Sequence, residues 1–239
     1  MWLFNSSIGK KLIMSLSGAF LVLFLLFHMS MNLVAAFSGE AYDAICEFLG
    51  ANWYALAGTM VLALGVVVHF VYAFILTFQN RKARGNNAYE ISKKPKTVEW
   101  ASQNMLVLGL IVCVGLLLHL SQFWAHMQYA EIAGTEVNNV AGVADGAAWI
   151  QYYFNGWEYA WLNVCLYIVW LAALWFHLSH GVWSAMQTIG WNNKVWIDRW
   201  HCISVIIATV VIAGFMLVVL GYAFGLFPLC NAACCAAAC

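Results

Sequence analysis

The sequence predicts an all-α integral membrane protein: five transmembrane helices in a bundle, N-terminus cytoplasmic and C-terminus outside. Three observations predict it. Of 239 residues, 64% are hydrophobic and only 8% charged, and the mean hydropathy is +0.81, a composition foreign to soluble domains. Five apolar runs, 12–37, 54–78, 101–124, 159–187 and 203–227, each exceed or approach the roughly 20 helical residues that cross a hydrocarbon core of about 30 Å. The ten Lys and Arg fall in only three places, all on one side of the path those runs imply. The formal net charge is zero, which offers no electrostatic footprint for nucleic acid.

The first run follows Lys10 and Lys11 and is longer than a signal-peptide core of about 7 to 15 residues, so it is read as a retained span. No run shows the ten-residue alternation of a barrel strand. Lipid supplies no water to free amide groups, so each run is a helix. The second run leads into Arg81, Lys82, Arg84, Lys93, Lys94 and Lys96, and the fourth into Lys194 and Arg199; the positive-inside rule puts these in the cytoplasm. Glu40, Asp43, Glu47, Glu131, Glu136, Asp145 and Glu158 occupy the other side. Trp100, Trp191, Trp196 and Trp200 mark the inner interface, and Trp53, Trp124, Trp149, Trp157 and Trp161 the outer one. The two prolines, Pro95 and Pro228, break none of the runs.

Four histidines, His28, His69, His119 and His180, sit inside these runs. At about 1.5 Å of rise per residue, His28 and His119 lie roughly 24 and 27 Å from the inner end of the first and third helices. His69 and His180 lie roughly 10 to 15 Å from it on the second and fourth. A short echo groups them the same way: His69-Phe-Val-Tyr-Ala with Thr77 parallels His180-Gly-Val-Trp-Ser with Thr188. An imidazole deep in lipid needs a partner, and neutral imidazole is a ligand for haem iron, its second nitrogen held by a nearby carbonyl or hydroxyl. Two axial pairs at two depths are what two stacked b-type haems require. Gly65 and Gly115, four residues before His69 and His119, and Gly181 after His180 are read as room for a flat macrocycle or as helix-packing positions. His177, one turn before His180, is the rival ligand or a propionate neighbour. His126 and His201 fall at the outer and inner edges.

Three stretches resemble a known family. Ser6-Ser-Ile-Gly-Lys-Lys-Leu-Ile-Met-Ser-Leu-Ser-Gly18, Phe27-His-Met-Ser-Met-Asn-Leu33 and His177-Leu-Ser-His-Gly-Val-Trp-Ser-Ala-Met-Gln-Thr-Ile-Gly-Trp191 resemble the dihaem cytochrome b membrane-anchor subunit of succinate dehydrogenase and fumarate reductase, succinate:quinone oxidoreductases. The resemblance runs from about Ser6 to Phe227. It implies a multi-pass protein of the bacterial cytoplasmic membrane that carries electrons through two haem b. His28 would pair with His119, and His69 with His180. The electrons would pass between an iron–sulfur subunit, docked with a flavoprotein subunit on the cytoplasmic face, and quinone, commonly menaquinone. The dicarboxylate chemistry would belong to the flavoprotein.

Location alone offers Ser15, Ser17, Ser102, Gln103 and Lys194 as inner-side donors to haem propionates. Asn32, Glu40, Glu47 and His126 are the outer-side polar groups near which quinone chemistry is expected, and the aromatic stretch 149–154 is expected to lie along the surface and roof a cleft. Residues 1–229 form one five-helix haem-binding domain. Residues 230–239 are a low-complexity Cys/Ala tail, without a Cys-x-x-Cys-His haem attachment. Two other readings stay open: a haem anchor for a hydrogenase or formate dehydrogenase, and a transporter relaying protons or metal through its histidines.

Overall fold

The computed structural model describes residue 4 and residues 6–84, 100–135 and 142–227. Lys93, Lys94, Lys96, Glu136, both prolines and the Cys-rich tail lie outside the described residues. Eight helices follow in order: α1 (Ser7–Val34), α2 (Gly39–Phe48), α3 (Trp53–Arg84), α4 (Trp100–His119), α5 (Gln128–Ala133), α6 (Gly146–Gln151), α7 (Ala160–Ile189) and α8 (Trp196–Ala223). Wide π-helical turns extend α4 through Leu120–Trp124 and α6 through Tyr152–Gly156. Five helices, α1, α3, α4 with its turn, α7 and α8, are long and apolar enough to cross a membrane.

Local chemistry sets the ends. Ser6 caps α1 by accepting from Gly9 N at 2.9 Å, and Ser38 caps α2 from Ala41 N at 3.2 Å. Asn193 Oδ1 accepts from Val195 N and Trp196 N ahead of α8. Gly190, at φ 99°, ends α7, with Trp191 N reaching back to Met186 O; only a residue without Cβ takes that left-handed turn at no cost. The apolar runs mark hydrocarbon, not helix. α3 therefore continues beyond its run to Arg84, and α8 starts seven residues ahead of its run, with Asp198 in the first turn where the helix dipole favours an anion.

The core lies between α7 and α8. Val164, Tyr167, Leu171, Leu174 and Leu178 alternate three and four residues apart, the spacing of a coiled-coil seam, and pack with Ala208, Val211, Val218 and Tyr222 of α8. α1 and α4 close on α7, and α1 also reaches α8. α3 leans on α1, and none of its described side chains is buried. The faces left over carry Leu16, Leu23 and Phe27 on α1 and Met60, Leu64, Val67 and Val71 on α3, all exposed, as lipid-facing positions are.

The connections bearing Asp43, Glu131, Asp145 and Glu158 gather at one end of the bundle, the acidic end. The starts of α1, α4 and α8 and the ends of α3 and α7 form the opposite, basic end. At the acidic end α2 packs on α6, with Tyr42 and Cys46 against Gly146, and Glu131 Oε2 accepts from Ala51 N at 2.9 Å. The aromatic stretch 149–154 departs from its expected surface position. Trp149, Ile150, Tyr153 and Phe154 are buried, because α6 and its wide turn are sandwiched between α2, α7 and α8. Trp149 is thereby removed from the outer girdle, while Trp53 and Trp161 stay exposed.

Candidate haem-binding histidines

The histidines meet at two levels. Near the acidic end the rings of His28 on α1 and His119 on α4 lie 5.8 Å apart, centroid to centroid. Aromatic rings wall them in: Phe24 stacks on His28 at 5.3 Å, Phe215 stands 5.7 Å away, and Phe123, Trp170 and Tyr167 surround His119 at 5.2, 5.8 and 6.5 Å. Asn32 Nδ2 donates to His28 O at 2.8 Å and lies 3.5 Å from both ring nitrogens, while its Oδ1 accepts from Tyr42 OH at 3.2 Å. Asn32 is therefore a bracket between α1, α2 and the imidazole.

Nearer the basic end, the ring that meets His69 is that of His177, at 6.3 Å. His180 had been expected there. Three residues along a helix advance about 4.5 Å and leave a rotation of about 60°, and the seam with α8 decides which ring looks inward. Asn163, Trp170 and His177, seven apart, share the stripe of α7 that faces α4: Asn163 meets Gln122, Trp170 meets Gly115, and His177 lies over Gly109. His180 is off that stripe. Its ring lies 6.0 Å from Trp183, which donates to Ile197 O and meets His201 edge-on.

Ser17, expected as a propionate donor, lies 3.2 Å from His69 Nδ1 and donates to Met14 O at 3.0 Å. Its one proton is thus spent, so His69 Nδ1–H donates to Ser17 Oγ and Nε2 keeps the lone pair that a metal takes. Ser15 is buried, whereas Ser102, Gln103 and Lys194 are exposed at the basic end. Glu40 and Glu47 are exposed on α2, and His126 packs between Trp149 and Tyr153.

The glycines divide. A Cβ at Gly115 would strike Trp170, whose Nε1 donates to Val112 O at 3.0 Å, and one at Gly65 would strike Phe20. These two admit aromatic rings from the neighbouring helix, so they are packing positions. Gly18 borders the lower pair instead: a Cβ there would lie 3.2 Å from His69 Cε1.

Sequence reasoning passed over a buried amide chain beside the upper pair. Tyr167 OH donates to Gln122 Oε1 at 2.9 Å, Gln122 Nε2 to Asn163 Oδ1 at 2.8 Å, and Asn163 Nδ2 to Tyr153 O at 3.1 Å. All three side chains are buried, and in a medium without water such a chain holds only when its members satisfy one another. Asn163 inside an apolar run was the available signal. The π-helical turn after His119 swings Gln122 into this chain; such turns recur at functional sites.

The donor set fits two bis-imidazole irons. A ring nitrogen sits about 2 Å from a coordinated metal ion, so two imidazoles on one ion have centroids roughly 6 Å apart, beside the observed 5.8 and 6.3 Å. His177 Nδ1 is buried with no hydrogen-bond partner among the described residues, a cost of about 1–3 kcal/mol that a bound group bordering it would be positioned to relieve. From Ser17 to His28 along α1, and from His177 to Tyr167 along α7, the levels are roughly 15 Å apart, half of a hydrocarbon core. The described residues thus form an all-helical bundle, with five helices long and apolar enough to cross a membrane, that brings imidazoles together in pairs at two depths. No family model matches the chain, and no curated protein or solved structure matches it either.

Proposed function

We propose that this chain is the dihaem cytochrome b anchor of a succinate:quinone oxidoreductase, a multi-pass subunit of a bacterial cytoplasmic membrane with its basic end inside. The observation that carries the reading is the meeting of four imidazoles as two pairs at two depths. His28 and His119 would hold the iron near the acidic end, and His69 and His177 the iron near the basic end. When bound, two haem b supply one-electron carriers spaced to cross a low-dielectric slab.

The chain's own residues do the rest. Ser17 fixes the His69 tautomer, Asn32 holds the His28 ring, and the aromatic wall keeps water from the upper pair. Potential is set by ligand identity, burial and such supporting bonds. Lys10, Lys11, Lys194 and Arg199 support a cytoplasmic basic end by the positive-inside rule, where an iron–sulfur subunit and its flavoprotein would dock. Quinone, menaquinone by the resemblance, would react at the acidic end.

A dithionite-reduced minus oxidised spectrum of the purified membrane complex, with haem quantified per chain, tests this. Two b-type centres are expected, with an iron–sulfur protein and a flavoprotein co-purifying. An optically silent preparation overturns the reading, and co-purification of a hydrogenase or formate dehydrogenase instead keeps the wire and replaces the partner.

A further inference from the structure

Quinone reduction needs protons as well as electrons, and the acidic end holds one imidazole that the haem sites leave over. His126 follows the π-helical turn that begins one residue after His119. Its ring lies 4.8 Å from Trp149 and 6.0 Å from Tyr153, in the buried aromatic stretch of α6 and its turn. Nδ1 stands 3.1 Å from Gln122 O, an oxygen that only accepts, so Nδ1 carries a hydrogen and Nε2 is the basic nitrogen. Nε2 has no hydrogen-bond partner among the described residues. Gln122 in turn accepts from Tyr167, which borders the His119 ring at 6.5 Å. A half-buried base is thus tied, through one residue, to the wall of the upper histidine pair.

The other groups nearby are engaged or turned away. Asn32 is held by His28 O and Tyr42. Asp43 Oδ1 accepts from Ala147 N at 2.9 Å, and Glu40 and Glu47 stand on the exposed side of α2. The titratable group facing His126 from the opposite element is Tyr153, whose hydroxyl lies 3.5 Å from Nδ1. Burial, and then Tyr152, raise the Tyr153 pKa, so it remains a hydroxyl and does not compete as a base.

We infer that His126 is the residue that exchanges protons with a quinone at the acidic end, through its Nε2. This rests on the proposed function above. In reduction, two electrons from the upper level and two protons convert the two carbonyls to hydroxyls. Each proton leaves Nε2–H of the imidazolium and is replaced from water at the acidic end. Oxidation of the quinol runs the same transfers backward, Nε2 taking each hydroxyl proton in turn. Throughout, Nδ1–H stays on Gln122 O, which steadies the cation when it forms.

The test uses the detergent-extracted complex with a short-chain naphthoquinol as electron donor. In His126→Gln the naphthoquinol-linked turnover falls about 10²-fold, the usual weight of a positioned acid–base group, while haem per chain and dithionite reduction of both centres hold. The pH dependence of kcat/KM seen in wild type is flattened in the variant. Turnover in His126→Gln within about twofold of wild type, at full haem, overturns the inference alone. Should the variant lose haem, the wild-type complex decides: a kcat/KM that does not vary with pH overturns it. Wild-type complex without haem overturns the parent reading, and this one with it.

Discussion

At the level of His28 and His119 the imidazoles stand among five aromatic rings, beneath α2 and α6, next to an amide chain whose members satisfy one another. At the level of His69 and His177 they meet Ser17, Gly18 and Gly109, His177 Nδ1 has no hydrogen-bond partner among the described residues, and α3 packs chiefly on α1. The upper level is closed by the fold; the lower leaves His177 Nδ1 buried without a hydrogen-bond partner among the described residues. On the proposed function, electrons entering from the basic end would meet the loosely built level first and the tightly built one last.

The sharpest way to break that contrast is at the lower pair. His177→Ala is expected to remove one of two b-type centres, halving haem per chain, while His180→Ala keeps both; haem assay of the two purified variants checks this. The opposite outcome would restore the His69–His180 pairing and make the packing of α7 a poor guide to the ligand. Next comes Gln122→Leu, which strips Tyr167 of its acceptor and Asn163 of its donor, a loss of about 1–3 kcal/mol at the upper level. Thermal unfolding should come earlier, and in a redox titration only the upper centre should shift; equal shifts in both centres would remove the contrast.

The smallest effect is at Asp43, outside the membrane spans. Burial first, then Asp145 and Glu40, raise its pKa against the opposing bond from Ala147 N. An acid with a raised folded pKa binds its proton more tightly folded than unfolded. Its contribution to stability is therefore full below the unfolded value of about 3.9 and is lost as pH rises through the folded one. Asp43→Asn keeps the acceptor for Ala147 N and removes the titration. Its melting temperature should match wild type near pH 4 and exceed it modestly at pH 7, a gap read by thermal melts at both.

What the sequence revealed followed from the solvent. Lipid imposes a run of roughly 20 apolar residues on each crossing, so the five spans were plain, and a fixed rise per residue put His28 with His119 at one depth. Rotation was not so constrained. His177 and His180 differ by about 60°, and the choice between them depends on the Val164–Leu178 seam and on the stripe of Asn163, Trp170 and His177 that faces α4. The echo between the second and fourth spans points to His180, whereas the ring that lies beside His69 is that of His177. Gly65 and Gly115 read equally as cofactor clearance or helix packing until Phe20 and Trp170 were seen to fill them. Nothing local in Leu120–Trp124 announces the wide turn, which arises from the burial of Gln122 against Asn163 and Tyr167.

The attachment of α3 chiefly to α1 has a consequence for biogenesis. Beyond its seam with α1 and a bond from Thr59 to Gln128 at the acidic end, α3 meets α7 midway along the bundle through the contact of His69 with His177. On the proposed reading, metallation of that level would also latch the α1–α3 hairpin shut, so that cofactor insertion and maturation of the subunit become one event, and a newly inserted chain awaiting iron is the form most open to a quality-control protease.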